Sequence, residues 1–308
     1  MDLLTRMCLA LAYVEDHLAG EIKQEELARI ACCSAYNFNR MFSFLTDISL
    51  TEYIRRRKLT LAAIELQNSE IKVIDLALKY GYNSPISFSR AFQALHGVTP
   101  TEARCGGVTL KAYPRISFQI SIKGEKEMDY RIENKGAFQV FGYEGIFKTD
   151  GSGIQADAAH DNAACPNNPH ELWNQNNANG AYEKLAADAG ELPPFVNPGL
   201  CKVHGICDYK QTEPGTFAYM QCAFVGEHSR VNGYAVAEIP AHTWVVFPSE
   251  KFAWDKVVEV INRLNKRFYS EWLPTAEYEQ INGMNLEVYG GDGDMGYVEL
   301  WYAVKKKA

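Results

Sequence analysis

Apolar positions recur at helical spacing through the first hundred residues and at alternating, strand-like spacing beyond residue 130. Gln24 to Ala31 and Val73 to Lys79 read as short amphipathic helices. Each is followed by a turn and a second helix that opens on a serine. Ser34 and Ser84 suit the N-cap, where a hydroxyl accepts from the free amides of the first turn. Pro85 follows its cap directly, at the position where a missing N–H costs nothing. Phe38 with Phe42, and Phe88 with Phe92, lie four apart and mark the inward faces. Leu50 to Leu66 is a longer amphipathic helix between the two pairs.

The two pairs are copies. Ser34, Phe38, Arg40 and Phe42 return as Ser84, Phe88, Arg90 and Phe92, and Thr51-Glu52 returns as Thr101-Glu102. A repeat of this size implies a repeated structure, here two helix-turn-helix units. Tyr36, Asn39 and Arg40 in the first copy fall on or beside the face away from the phenylalanines, as do Ile86, Ser87, Ser89 and Arg90 in the second. Exposed Arg, Asn and Ser at a helix start match the needs of major-groove reading. Arginine forks onto guanine O6 and N7, and asparagine does the same for adenine. Two such helices about 34 Å apart can enter successive major grooves. Taken singly, Arg40 and Arg90 would read as structural salt bridges; their recurrence at matched positions favours DNA. The run Arg55-Arg56-Arg57-Lys58 is either a solvated helix face or a phosphate anchor.

From Tyr130 the chain reads as strand, helix, strand, strand, twice over. The first copy takes a strand over 137–145, a helix over Glu171 to Ala189, and strands over 200–206 and 216–225. The second takes a strand over 239–247, a helix over Phe252 to Trp272, and strands over 286–289 and 297–305. The expected architecture is therefore multidomain: an all-α double helix-turn-helix DNA-binding domain followed by an α+β domain of two strand–helix–strand–strand repeats, with helices on one face. Expected boundaries are 1–106, a linker over 107–126, and 127–308. On the last strand, alternation puts Tyr297, Glu299 and Trp301 on one face, with Tyr219 near the place of Glu299 in the earlier copy. A carboxylate among aromatics favours a cation, although a solvated strand glutamate is the plainer reading.

Composition narrows the classes. The chain has 308 residues, 47% hydrophobic and 22% charged, which is ordinary globular composition. Residues 1–106 hold 12 basic against 12 acidic residues and 107–308 hold 19 against 26, so the net −7 sits wholly in the second part. No basic half announces nucleic acid through bulk charge. No apolar run suggests a membrane span and the start lacks a secretion signal, so the eight cysteines are expected to be reduced and the cytoplasm is the default compartment.

Residues 7–105 resemble the AraC/XylS-type DNA-binding domain. The resemblance rests most on Leu76 to Tyr82, Phe88-Ser89-Arg90-Ala91-Phe92 and Gly97-Val98-Thr99-Pro100. It implies seven helices, promoter DNA and RNA polymerase as partners, and base contacts from Tyr36, Asn39, Arg40, Ile86, Ser87, Ser89 and Arg90. Cys32 departs from the family, which usually has glycine in that turn, and Pro85 and Ile86 stand where some relatives carry amides. Residues 127–307 resemble a GyrI-like effector-binding domain. This rests on Ile239 to Trp244, Tyr269-Ser270-Glu271-Trp272-Leu273-Pro274, Leu286 to Tyr289 and Glu299-Leu300-Trp301; the loop from Asp150 to Pro169 differs. It implies a lipophilic, often aromatic and cationic effector held in a groove at Glu299. Trp301, Tyr297, Tyr219, Trp244 and Tyr143 are the aromatic candidates beside it.

Competing chemistry is weaker. Cys201, His204 and Cys207 have metal-ligand character, but strand alternation points His204 away from the cysteines, and Cys165, His160 or His170 would have to complete the set. Cys32-Cys33 reads as packing rather than a redox sensor. No phosphate loop, nucleophile elbow or dinucleotide fingerprint occurs in a credible context. Some GyrI-like domains resemble hydrolases that use a buried Glu base, so a small-molecule-binding or hydrolysing protein with a vestigial DNA-binding domain is the alternative. The expectation is a non-enzymatic, ligand-responsive transcriptional regulator with no cofactor or metal. Its effector would shift the population that exposes the DNA-binding domain or a polymerase-contacting surface.

Overall fold

In a computed structural model, residues 3–105, 108–118, 129–148, 168–213 and 215–307 are described. The chain divides into two compact units, residues 1–32 with 48–120 and residues 33–47 with 121–308. The division differs from the expected boundaries in two respects: the helix holding Tyr36, Asn39 and Arg40 belongs to the second unit, and the expected linker is divided between the two, residues 107–120 going with the first.

Among the described residues of the first 105, seven helices follow one another: α1 (Leu3–Asp16), α2 (Gln24–Ala31), α3 (Ala35–Thr46), α4 (Leu50–Asn68), α5 (Val73–Lys79), α6 (Pro85–His96) and α7 (Pro100–Ala103). In the first unit, Leu59, Ala62 and Leu66 of α4, Leu76 and Ala77 of α5, and Phe88 and Phe92 of α6 form one core. The Ser84 hydroxyl caps α6 by accepting from the Ser87 amide at 3.1 Å, and Gly97 ends it at φ 83°. α2 ends on Cys32 at φ 53°. A left-handed turn is thus made by a residue with a Cβ, at a steric cost that glycine avoids.

The basic run in α4 is spent internally. Arg55 and Arg56 pair with Glu52, Arg57 with Glu15, and Lys58 donates to the Tyr80 carbonyl at 3.1 Å. Part of the expected linker is strapped along α4. The Tyr113 amide donates to Thr60 Oγ1 at 3.1 Å, and Arg57 Nη1 donates to the Tyr113 carbonyl at 2.6 Å. Residues 107 and 119–126 of that stretch lie outside the described residues.

The second unit is built on a nine-stranded antiparallel sheet. Its elements are β1 (Arg131–Lys135), β2 (Phe138–Lys148), α8 (Pro169–Ala178), α9 (Ala181–Asp188), β3 (His204–Cys207), β4 (Thr216–Phe224), β5 (Ala235–Ile239), β6 (His242–Pro248), β7 (Phe252–Ala253), α10 (Val257–Arg267), β8 (Tyr278–Asp292) and β9 (Met295–Lys306). The order is β1-β6-β9-β8-β3-β4-β2-β5, with β7 on β9. The two expected copies are visible as β2-β4-β3 and β6-β9-β8, arranged head to head so that β3 and β8 pair at the centre.

Several expected elements are cut differently. The helix over 171–189 breaks at Gly180, φ 77°, into α8 and α9. Pro240 separates β5 from β6, since proline lacks the ladder donor. The helix over 252–272 begins as β7 and a short 3-10 turn, continues as α10, and ends in a π turn over Phe268–Trp272. The strand over 200–206 shortens to β3, and most of the divergent loop, residues 149–167, lies outside the described residues.

The two faces of the sheet carry different cores. One buries Ile206, Met220, Leu286, Trp244, Val246 and Trp301 together. The other carries α8 and α9 on the β2-β4 side and α10 on the β9 side. There Phe217 and Tyr219 pack with Leu172 of α8, and Tyr302 stacks on Phe268 at 3.6 Å.

Candidate functional site

The two repeated helices diverge in burial. α6 buries four of its twelve residues, Phe88, Phe92, Leu95 and His96. Ile86 is 66% exposed, Ser87 and Arg90 are exposed, and Ser89 is half-buried. The face expected to read DNA is open on α6. α3 buries nine of twelve residues, with Tyr36 at 8%, Asn39 at 4% and Arg40 at 2%. The face expected to be exposed on α3 is packed inside the second unit.

The six expected effector residues do not gather in one place. Tyr297, Glu299, Trp301 and Trp244 lie on the face that carries no helix among the described residues. Glu299 accepts from Arg131 Nη2 at 2.6 Å, Tyr297 hydroxyl at 2.9 Å and Trp301 Nε1 at 2.8 Å. It is 4% exposed, and its charge is already matched by Arg131. Lys135 Nζ also sits over the Trp301 ring, 4.2 Å from its centre. Tyr219 and Tyr143 lie on the helix-bearing face. The pairing explains the split: Ile206 faces Met220 in one copy and Leu286 faces Trp301 in the other, so Ala218, not Tyr219, matches Glu299. A one-residue offset moves a strand residue to the opposite face.

A second carboxylate occupies the centre of the helix-bearing face. Glu287 on β8 is 9% exposed and accepts from the hydroxyls of Tyr219 at 3.0 Å and Tyr289 at 2.8 Å. Trp173 of α8 donates to the Tyr219 oxygen at 2.7 Å and meets the Tyr289 ring edge-on at 5.4 Å. Burial, together with the adjacent Glu287 charge, holds both phenols well above their ordinary pKa, so they remain donors. Gly205 makes room for this arrangement, because a Cβ there would lie 2.3 Å from the Tyr219 hydroxyl and 2.8 Å from Glu287 Oε2. No ion pair to Glu287 occurs among the described residues. Leu286-Glu287-Val288-Tyr289 carries the same aromatic–carboxylate alternation as Tyr297-Glu299-Trp301. What the sequence lacked was the side on which the helices lie.

α3 packs on this same face. The Ser34 hydroxyl accepts from the Asn37 amide at 3.1 Å to start the helix. Tyr36 stacks on Phe217 at 3.8 Å and an interplanar angle of 7°. Arg40 donates from Nη1 to Asn285 Oδ1 at 2.5 Å and from Nη2 to Asn265 Oδ1 at 3.0 Å, and Tyr302 donates to the same Asn265 oxygen at 2.8 Å. Asn285 lies one pleat repeat along β8 from Glu287. Between Gln280 and Asn285 the register of β8 shifts through a bulge, and the Cβ that Gly283 lacks would meet Asn37 at 2.9 Å. Among the described residues no carboxylate pairs with Arg40, and Arg40 Nε, Asn39 Oδ1 and Asn285 Nδ2 are buried without partners.

Asp208, beside this seat at φ 53°, is held by burial near pKa 7 while Arg40 pulls it down. Between about pH 4 and 7 the folded chain keeps a proton that the unfolded chain has lost, so stability falls as pH rises through that window. Asn accepts left-handed φ and cannot titrate. Asp208→Asn is therefore expected to remove that fall and to raise stability at pH 8 by on the order of a few kcal/mol. Urea midpoints at pH 4.5 and 8 for both proteins check it. His204, held near pKa 3 by burial, contributes the opposite slope in both proteins and cancels from the difference.

Residues 131–304 match the family model for integron-associated effector binding proteins, and residues 27–105 match a helix-turn-helix domain model. The transcriptional activator AarP of Providencia stuartii is 35% identical over 91 residues, 30% of this chain and 67% of AarP. The regulatory protein SoxS of Escherichia coli K12 is 34% identical over 94 residues, 30% of this chain and 88% of SoxS. The chain belongs to the AraC-type regulators and to the integron-associated effector-binding family. An integron cassette protein of Vibrio cholerae is 16% identical with a TM-score of 0.34, covering 57% of this chain and 95% of that one. The AraC-type regulator thus joins a DNA-binding helix-turn-helix domain to a domain that takes a small-molecule effector. Among its described residues no helix is long and apolar enough to cross a membrane. Likewise, no group of three His, Cys, Asp or Glu side chains among them could hold a metal; Cys165 and His160 lie outside that set.

Proposed function

We propose that this regulator senses a lipophilic cation at Glu287 and reads promoter DNA through α6 and α3. The observation that carries the effector reading is a buried carboxylate with no cationic partner among the described residues, framed by Trp173, Tyr219 and Tyr289. An aromatic frame with a net negative charge favours a desolvated organic cation through charge pairing and cation–π attraction. Glu299, by contrast, already holds Arg131. The DNA reading is supported by the open N-terminal face of α6, where Ile86, Ser87 and Arg90 project beyond a buried Phe88 and Phe92. A vestigial domain has no use for such a face. Contact with RNA polymerase belongs to the same reading, since a promoter-bound regulator acts on transcription. No hydrolytic role is assigned to Glu287.

Glu287→Gln tests the effector reading. It keeps the shape of the side chain and removes the charge. Titration of tetraphenylphosphonium by quenching of tryptophan fluorescence is expected to show affinity at least tenfold weaker in the variant. Equal affinity in both proteins would remove Glu287 from the site.

A further inference from the structure

Arg40 raises a problem that neither DNA reading nor effector binding answers. The residue that should fork onto a guanine is 2% exposed, and its counterpart Arg90 in the sister helix is open. The two helices share their caps, their paired phenylalanines and their arginine, so the difference lies in what surrounds α3. It lies on the helix-bearing face of the effector unit, with its guanidinium on Asn285, two residues from Glu287 on the same side of β8.

We propose that α3 is the resident ligand of the effector groove, with the Arg40 guanidinium standing in for the cation, and that a cationic effector displaces it and so frees Tyr36, Asn39 and Arg40 for DNA. The inference rests on the placement of the effector at Glu287 argued above.

Three independent features carry it. The sheet face beside Glu287 is fitted to the helix: the β8 bulge and the bare Gly283 receive Asn37, and Phe217 receives the Tyr36 ring face to face. The helix offers the chemistry the groove selects, a planar cation flanked by an aromatic, since Arg40 also lies over the Phe44 ring at 5.7 Å. The fit is incomplete, because among the described residues the guanidinium meets amide oxygens rather than a carboxylate and its Nε has no partner. A ligand that brings a full cation to Glu287 without a stranded donor can therefore compete. A helix cannot fill the groove and read a base at once, so effector and DNA favour the same released state. Their effects on each other are then reciprocal: the effector tightens DNA binding, and DNA tightens effector binding by the same factor. The population that holds α3 in the groove lowers the apparent effector affinity by the fraction of groove left open.

The test uses the full chain and tetraphenylphosphonium as probe. Arg40→Ala removes the internal competitor and is expected to tighten binding of the probe by about tenfold or more. A purely structural Arg40 would instead leave affinity unchanged or weaken it. Hydrogen exchange on the unaltered chain needs no variant. Saturating probe is expected to speed exchange at the amides of residues 38–46, while those of α6 stay as they were. Probe binding with unchanged α3 protection and equal affinity in Arg40→Ala would overturn the displacement and leave the Glu287 site intact. No probe binding by either protein would overturn both readings.

Discussion

Gly205→Ala is expected to destabilise the effector unit by about 2–6 kcal/mol. The added Cβ has no room, with the Tyr219 hydroxyl at 2.3 Å and Glu287 Oε2 at 2.8 Å. Overpacking a filled interior costs about 1–3 kcal/mol. The Tyr219 ring, stabilised by Trp173 and nearly buried, must move off Glu287, and a buried carboxylate that loses a donor adds about 1–3 kcal/mol. The lost interaction is local to the sheet centre, so α6 and the first unit's core keep their packing. Urea denaturation followed by tryptophan fluorescence reads the effect, because Trp173 reports directly on the Tyr219 oxygen. A shift below about 0.5 kcal/mol, the range of ordinary surface changes, would mean that Gly205 makes no space for that pair.

Arg90→Ala is expected to weaken specific DNA binding by about 1–3 kcal/mol, or roughly 5- to 150-fold. Arg90 is exposed on α6, between one and two turns beyond the Ser84 cap, while Phe88 and Phe92 on the other side anchor the helix. The variant removes a guanidinium without touching the core, so thermal stability should be unchanged. The loss should relax preference at one base position rather than weaken all sequences alike, which separates base reading from phosphate contact. Competition binding against an operator fragment and its single-base variants measures both. Uniform weakening across sequences would assign Arg90 to the backbone.

Much of this architecture was legible from spacing. The phenylalanine pairs, the serine caps and the repeat at matched positions placed α2, α3, α5 and α6, because local rules decide helices of this kind. The two copies in the second half were legible from the recurring order of strand-like and helix-like runs. Their faces were not. The alternation in Tyr297-Glu299-Trp301 is correct, but an alternating strand has two faces and nothing in its own sequence says which one a helix covers. The offset between Tyr219 and Glu299 is one residue, and one residue is the whole difference between faces. The edge strand β1 was also missed. Its Arg131-Ile132-Glu133-Asn134-Lys135 looks like a charged loop, and only the sheet reveals that Arg131 neutralises Glu299 across to β9. The burial of α3 was beyond sequence reading for a further reason. Its own pattern matches that of α6, and the partner that covers it is more than a hundred residues away.

The same comparison separates what the repeat conserves from what it changes. Both copies cap on serine and bury two phenylalanines, which is sufficient to fold each helix. Tyr36 against Ile86, and Asn37 against Ser87, are the differences that suit α3 to Phe217 and to the β8 bulge. Those positions separate a helix with an open face from one whose face is buried.

The measurement that bears most directly on the regulator is sequencing of genomic fragments retained by the purified chain at about 150 mM salt, where non-specific phosphate binding is weak, with and without tetraphenylphosphonium. The account predicts a recurrent motif with two half-sites one helical turn apart, with the second half-site sharpened and the overall retention raised by the cation. No recurrent motif under either condition would contradict it.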